Sequence, residues 1–319
     1  MAGEEADLRG GPPVKAMLVQ NCNPAAVAPE SLRVVEGLRR EDLFLCVHEQ
    51  FMTDTARYAD IVLPATTFVE HDDLYTSFGH SYLQLGLRGI EPAGEAWSNH
   101  RLINALAARL VVDHVGFRLS EVELIDATLL ASGYPELEAL QEQQRLDCSL
   151  PSEQMRFLDG FAHPDGRFRF RPRWPAVAPG AAGMPEWPDY WAVNEDVSEA
   201  APLKLITPPA RNFLNTSFSE TPSSRRHEQR PCVLIHPLDA ARYQINTGAE
   251  VVVGNQRAQV RLVAQVSERM ALGTLAVEGI WPASDFPDGV GINALVGADV
   301  PLPFDGAAFH DCAVWVRAS

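Results

Sequence analysis

The sequence lacks any apolar run approaching the roughly 20 residues that span a bilayer, so no membrane-crossing helix is expected. Its start, MAGEEADLRGGPP, has neither the basic region nor the apolar stretch of a secretion signal, which points to a cytoplasmic chain. Positive charge is scarce. The 26 basic residues against 42 acidic ones leave a net charge of −16, which repels phosphate backbones and acidic lipid surfaces, so neither nucleic acid nor membrane is expected as a partner. Cysteine is sparse as well: Cys22, Cys46, Cys148, Cys232 and Cys312 are scattered, odd in number and never at CxxC spacing. That pattern argues against a disulfide framework, a zinc ribbon or an iron–sulfur cluster held by this chain.

Several signatures of catalysis are missing too. No GxGxxG or GxxxxGK[ST] loop follows any strand-like run, which removes the usual dinucleotide fingerprint and the phosphate loop. No GxSxG elbow is present, and no serine, histidine and acid set is identified by spacing. His71 and Asp72 resemble the paired ligands of metal phosphohydrolases, and His48, Glu49, His71 and Asp73 are a conceivable ligand set. Without HxxxH or HxxE spacing, nothing makes them converge, so no metal site is expected.

What the sequence does contain is an ordinary core, with 46% hydrophobic residues over 319 positions, enough for about two domains. From Ala16 to about Leu110, short apolar runs alternate with helix-like segments, as in an α/β domain with a parallel sheet. AMLVQ (16–20), LFLCV (43–47) and DIVLP (60–64) have strand length. SLRVVEGLRR, with Ser31 as a plausible cap, supplies the first crossover helix; Thr53 can cap the segment TDTARY, and Ser98 or Asn99 the next long helix. A further helix is expected over 120–131. The expected divisions are an α/β domain over 1–132, a linker and irregular segment over 133–202, and a β-rich domain over 203–319. In the last, LKLIT, PCVLIHP, EVVVGN, AQVRLVAQV, GTLAVEGIW and DCAVWVR read as short strands of a compact barrel, interrupted by the small helix PLDAARYQ.

In open α/β sheets, ligands gather at the carboxyl ends of the strands. All three ends are polar here. AMLVQ leads into Asn21, Asn23 and Pro24; LFLCV into His48, Glu49, Gln50 and Thr53; DIVLP into Thr66, Thr67, Glu70, His71, Asp72 and Asp73. Amides, hydroxyls and carboxylates suit a heterocycle or ribose, although a turn at Asn23–Pro24 and a cap at Thr53 explain the same residues structurally.

The run NCNPAAVAPESLRVVEGLRREDLFLCVHEQFMTDTARYADIVLPATTFVEHDDLYTSFGHSYLQ, followed by IEPAGEAWSNHRLINALAARL, resembles the third domain of the molybdopterin oxidoreductases, the dimethyl sulfoxide reductase and formate dehydrogenase superfamily. TARYADIVLPATTFVEHDD is its most specific part. LITPPARNFLNTSFSE, VLIHPLDAARYQINTGAEVVVGNQRAQV and GINALVGADVP are similar to that family's C-terminal pterin-dinucleotide domain, a double-psi β-barrel. The resemblance implies a Rossmann-like parallel-sheet domain followed by such a barrel, jointly gripping molybdopterin guanine dinucleotide with molybdenum or tungsten. It implies guanosine contacts at Asn21, Asn23, Pro24, His48, Glu49, Thr53 and Asn99, and pterin and phosphate contacts at Arg211, Asn215, Thr216, Ser217 and Asn293. The family's metal ligand and cluster cysteines belong to an N-terminal half with no counterpart in this sequence. The expectation is therefore a cofactor-binding C-terminal portion, either split from an N-terminal half supplied as a separate chain or left by truncation of a longer gene, inactive without that half and contributing no catalytic side chain, metal ligand or iron–sulfur cluster of its own. A non-catalytic scaffold that kept the fold and lost the cofactor is the alternative.

Overall fold

The computed structural model describes residues 10–177, 181, 183–299 and 306–319. Most of the start MAGEEADLRGGPP and the final residues of GINALVGADVP lie outside the described residues. In chain order the first elements are β1 (Ala16–Gln20), α1 (Pro24–Val27), α2 (Ser31–Leu38), β2 (Phe44–Glu49) and β3 (Ile61–Pro64). The strands make a parallel sheet in the order β1-β2-β3. Then follow β4 (Asp73–Tyr75), β5 (Tyr82–Gly86), α3 (Asn99–Arg109), α4 (Glu121–Ala131), α5 (Leu137–Gln143), β6 (Arg145–Asp147), α6 (Ser152–Met155) and α7 (Trp174–Val177). The barrel region holds β7 (Leu203–Ile206), α8 (Pro222–Glu228), β8 (Cys232–Ile235), α9 (Pro237–Arg242), β9 (Glu250–Gly254), β10 (Gln259–Val266), β11 (Thr274–Val277) and β12 (Cys312–Ala318).

The chain divides into two compact units: one comprises residues up to Val47, Phe51–Ile61 and Phe170 onward; the other comprises His48–Gln50 and Val62–Arg169. In the first unit, Val19, Leu45 and Val47 of the sheet pack with Ala25 and Leu38 of the two short helices. The barrel is closed in the order β10-β8-β11-β7-β12-β9. Strand alternation explains its filling: Leu203 and Leu205 are buried while Lys204 between them is not, and Val233 and Ile235 repeat the pattern on β8. Trp281 and Phe213 meet edge to face in the same core, with ring centroids 4.8 Å apart. In the second unit, the antiparallel sheet β4-β5-β6 packs Leu83 against Ile125, Leu129, Leu137 and Leu140 of α4 and α5.

Local caps differ in part from expectation. Ser31 is the first residue of α2 rather than its cap; Glu30 holds that place with φ +46°. Ser98, not Asn99, caps α3, accepting from Arg101 N–H. Ser120 and Glu123 form a reciprocal capping box on α4. Thr53 Oγ1 accepts from Ala56 N–H at 3.2 Å, while the cap position of the 3-10 turn Ala56–Tyr58 is Thr55, which makes no side-chain cap bond. The cysteines are free thiols, Cys22 exposed and Cys312 buried. No helix among the described residues is long and apolar enough to cross a membrane.

Candidate functional site

Two clefts in the first unit share their walls. One, of about 240 Å³, is polar and is lined on one side by Asn23, Thr53, Asp54 and Arg57 and on the other by Thr216, Ser219, Glu220 and Arg225. The second, of about 320 Å³, is bordered by Val27, Asn215, Asn293, Gly279, Thr207 and His310. Asn23 and Val27 stand at the two ends of α1, a helix only about 6 Å long. Asn215 and Thr216 are consecutive in the turn after Arg211, so one turn faces both clefts.

The chain builds these walls by short-range geometry. Asn215 has φ +52°, a left-handed conformation that asparagine tolerates better than most residues. Phe213 anchors the same turn in the barrel core. Gly279 has φ +81°, and a Cβ there would stand 2.8 Å from Ala210 Cβ, so glycine lets the turn lie close to the strand end. Asn293 is buried, and its Nδ2 donates to Ala26 O and Val27 O, both at 3.0 Å. It thereby ties α1 to the barrel's 3-10 turn Ile292–Ala294.

Charge is arranged on both sides of the polar cleft. Asp54 Oδ2 accepts from Ala283 N–H at 2.9 Å. Arg225 makes a two-point pair with Asp285, at 2.5 and 2.8 Å, which holds its guanidinium above its ordinary pKa and uses two of its five N–H donors. Arg57 and Arg211 make no side-chain ion pair or hydrogen bond among the described residues. The donor set lining the polar cleft is Arg57, Arg225, the Asn23 amide and the Thr53 and Thr216 hydroxyls; Arg211 is exposed and lines neither cleft.

The remaining expected residues fall elsewhere. Asn21 is exposed with φ +50°, Pro24 opens α1, and Ser217 is exposed in the Arg211–Ser219 turn, its backbone paired with Leu214. His48, Glu49 and Asn99 belong to the second unit. There His48 is fully buried, its Nε2 3.0 Å from Trp97 O, and it lines a mostly apolar cavity of about 280 Å³ with Leu63, Trp97 and Leu102. Glu49 accepts from Gln50 N–H, and Asn99 is exposed on the first turn of α3. Asp54, Arg57, Ser219, Glu220 and Arg225 were not singled out from the sequence.

The His71–Asp72 pair has a structural use. Glu70 accepts from Thr67 N–H and Ala93 N–H at 2.7 Å, and these bonds hold its carboxyl below the usual range; Asp72 accepts from Arg88 N–H, and His71 Nδ1 meets Thr66 Oγ1 at 2.8 Å. No group of three or more such side chains among the described residues is placed to hold a metal ion.

Comparison with known proteins bears on this geometry. The family model for molybdopterin oxidoreductase matches residues 7–109, and that for the molydopterin dinucleotide binding domain matches residues 203–313. The chain is 33% identical over 302 residues to a Bacillus subtilis protein named "Probable oxidoreductase YoaE", covering 92% of this chain and 42% of that one. It is 28% identical over 301 residues to the trimethylamine-N-oxide reductase of Haemophilus influenzae, covering 85% of this chain and 36% of the relative. The chain thus spans less than half the length of these relatives. Among solved structures, acetylene hydratase from Pelobacter acetylenicus shares the fold with a TM-score of 0.81 at 20% identity, over 98% of this chain and 45% of the other.

Proposed function

We propose, given that the chain belongs to the molybdopterin oxidoreductase family, that its paired clefts hold one end of molybdopterin guanine dinucleotide, and that it is the cofactor-binding portion of a larger oxidoreductase. The observation that carries this is the continuity of the walls: α1 and the Arg211–Ser219 turn border both clefts, as an extended ligand requires. The side chains fit the group chemically. Arg57 in the polar cleft and Arg211, exposed in the adjoining turn, offer guanidinium groups for a pyrophosphate, while Asn23, Thr53, Thr216 and Asn215 in the clefts, with exposed Ser217 in the same turn, offer amides and hydroxyls for a ribose or heterocycle. Asn21 and Pro24 shape the loop that carries Asn23. Asn293 acts indirectly, by fixing α1. His48, Glu49 and Asn99 belong to the second unit and line neither cleft, so the reading does not rest on them.

When bound, the cofactor supplies redox chemistry at molybdenum or tungsten; this chain binds and orients it. The N-terminal half of such an enzyme provides the opposite half of the cradle, and turnover requires both. A ligand gripped on two sides loses most of its affinity when one side is absent.

The test is to purify the chain alone and with a candidate N-terminal partner, then measure molybdenum, tungsten and guanine nucleotide released by acid. Stoichiometric guanine nucleotide and metal in the complex, with little in the single chain, is the expected result. A complex that forms yet carries neither would sink the proposal and favour a scaffold.

A further inference from the structure

Thr55 is fully buried and stands between two parts of the loop after β1. Its hydroxyl accepts from Ala25 N–H at 3.0 Å and donates to Asn23 Oδ1 at 2.8 Å. Its own backbone N–H donates to the same Oδ1 at 3.0 Å. A backbone N–H can only donate, so the atom it faces must be the amide oxygen, and the usual ambiguity between the two ends of an asparagine is removed.

The other end, Nδ2, has no partner among the described residues, although Asn23 is only 7% exposed and lines the polar cleft. Asn23 also occupies the position before α1 where an asparagine side chain ordinarily turns back onto the helix N–H groups, and it makes no such bond. An amide that forgoes capping and gives its oxygen to Thr55 has only Nδ2 left for a group in the cleft, where that donor stays reachable from solvent.

We infer that Thr55 is a positioning residue that sets the polarity of the cleft: the ligand atom seated against Asn23 is a hydrogen-bond acceptor. This rests on the reading that the cleft takes a guanosine nucleotide. The acceptor is then a ring or carbonyl atom of the base, or a phosphate oxygen. Asp54 and Glu220, on the same walls, provide acceptors for the nucleotide's N–H groups and cannot replace the amide donor.

The experiment uses the full chain at millimolar GDP, guanosine or inorganic pyrophosphate, with the Asn23 side-chain NH₂ signals followed by ¹⁵N NMR and assigned by their loss in Asn23→Asp. This variant keeps both Thr55 bonds while removing the donor. Binding is expected to move those signals, and Asn23→Asp to weaken GDP by about tenfold or more. Thr55→Val should weaken it by about three- to tenfold, with Thr55→Ser restoring it to within about twofold, as loss and return of one hydrogen bond imply. The Thr55→Ser rescue and the thermal midpoints separate positioning from simple unfolding. A response to guanosine places the acceptor on the base; a response to pyrophosphate places it on the phosphates. GDP held with unmoved NH₂ signals, or held equally by Asn23→Asp, overturns the role of Thr55 and leaves the guanosine reading standing. Pyrophosphate held with shifted signals, but neither guanosine nor GDP, overturns the guanosine reading and upholds Thr55. Binding of none of the three, by the chain or by its complex with an N-terminal half, overturns both.

Discussion

Single polar side chains do much of the structural work in both units, and two of them make firm predictions. Asn293 satisfies two backbone carbonyls from a buried position, so Asn293→Ala should cost roughly 2 to 3 kcal/mol, measured by urea unfolding, because both carbonyls lose a buried partner. Glu70 is held ionised by the N–H groups of Thr67 and Ala93, so its pKa in the fold lies below the unfolded value of 4.5. Its contribution to stability is therefore full above that value and is lost as pH falls through the lower folded one. Melting temperature followed from pH 6 downward (about 6 to 2) should fall less steeply in Glu70→Gln than in the parent. An identical slope in the two would show that Glu70 carries no such linkage. At this scale the sequence announced which residues were polar and near strand ends, but not what they face. The orientation of Asn23 depends on Thr55, 32 positions away, and that of Arg225 on Asp285, 60 positions away.

Helices and turns show where patterning is informative. The strands of the parallel sheet and barrel were legible because each is a short run of apolar, β-favouring residues bounded by turn formers. α8 was not: PSSRRHE has no apolar residue to mark a face, and only Pro222 at the first turn signals a start. The sheet β4-β5-β6 was also hidden, since β5 pairs with β6 in a register joining Leu83 to Leu146, a partner that no local pattern announces. Two element-level changes follow. Ser120→Ala removes half of a capping box and should lower stability of the second unit by about 1 kcal/mol. Gly279→Ala meets both a positive φ and the Ala210 methyl, so a loss of about 1 to 3 kcal/mol is expected, read by thermal melting. Removing the opposing methyl in Gly279→Ala/Ala210→Gly should recover only the steric part.

Across the whole molecule, the division into two bodies cuts through β2 and β3, which no linear reading of composition suggests. Each body has its own core, so denaturant unfolding should show two transitions rather than one. Leu129→Ala, in the second unit, should move one transition and Leu205→Ala, in the barrel, the other, each by about 2 to 5 kcal/mol. A single transition that both substitutions shift equally would mean that the bodies unfold as one. The family assignment was legible because the long stretch after Thr55 is distinctive; the shared walls of the clefts were not, because α1 and the Arg211–Ser219 turn meet only through folding.

The neighbour that follows Asn23 has a chemical consequence over time. Asparagine ages to aspartate when the next backbone nitrogen attacks its side chain, and Pro24, having no N–H, closes that route. The amide is thereby shielded from slow conversion to an acid, and peptide mass spectrometry after prolonged warm storage should find Asn23 intact while exposed Asn21 gains one mass unit.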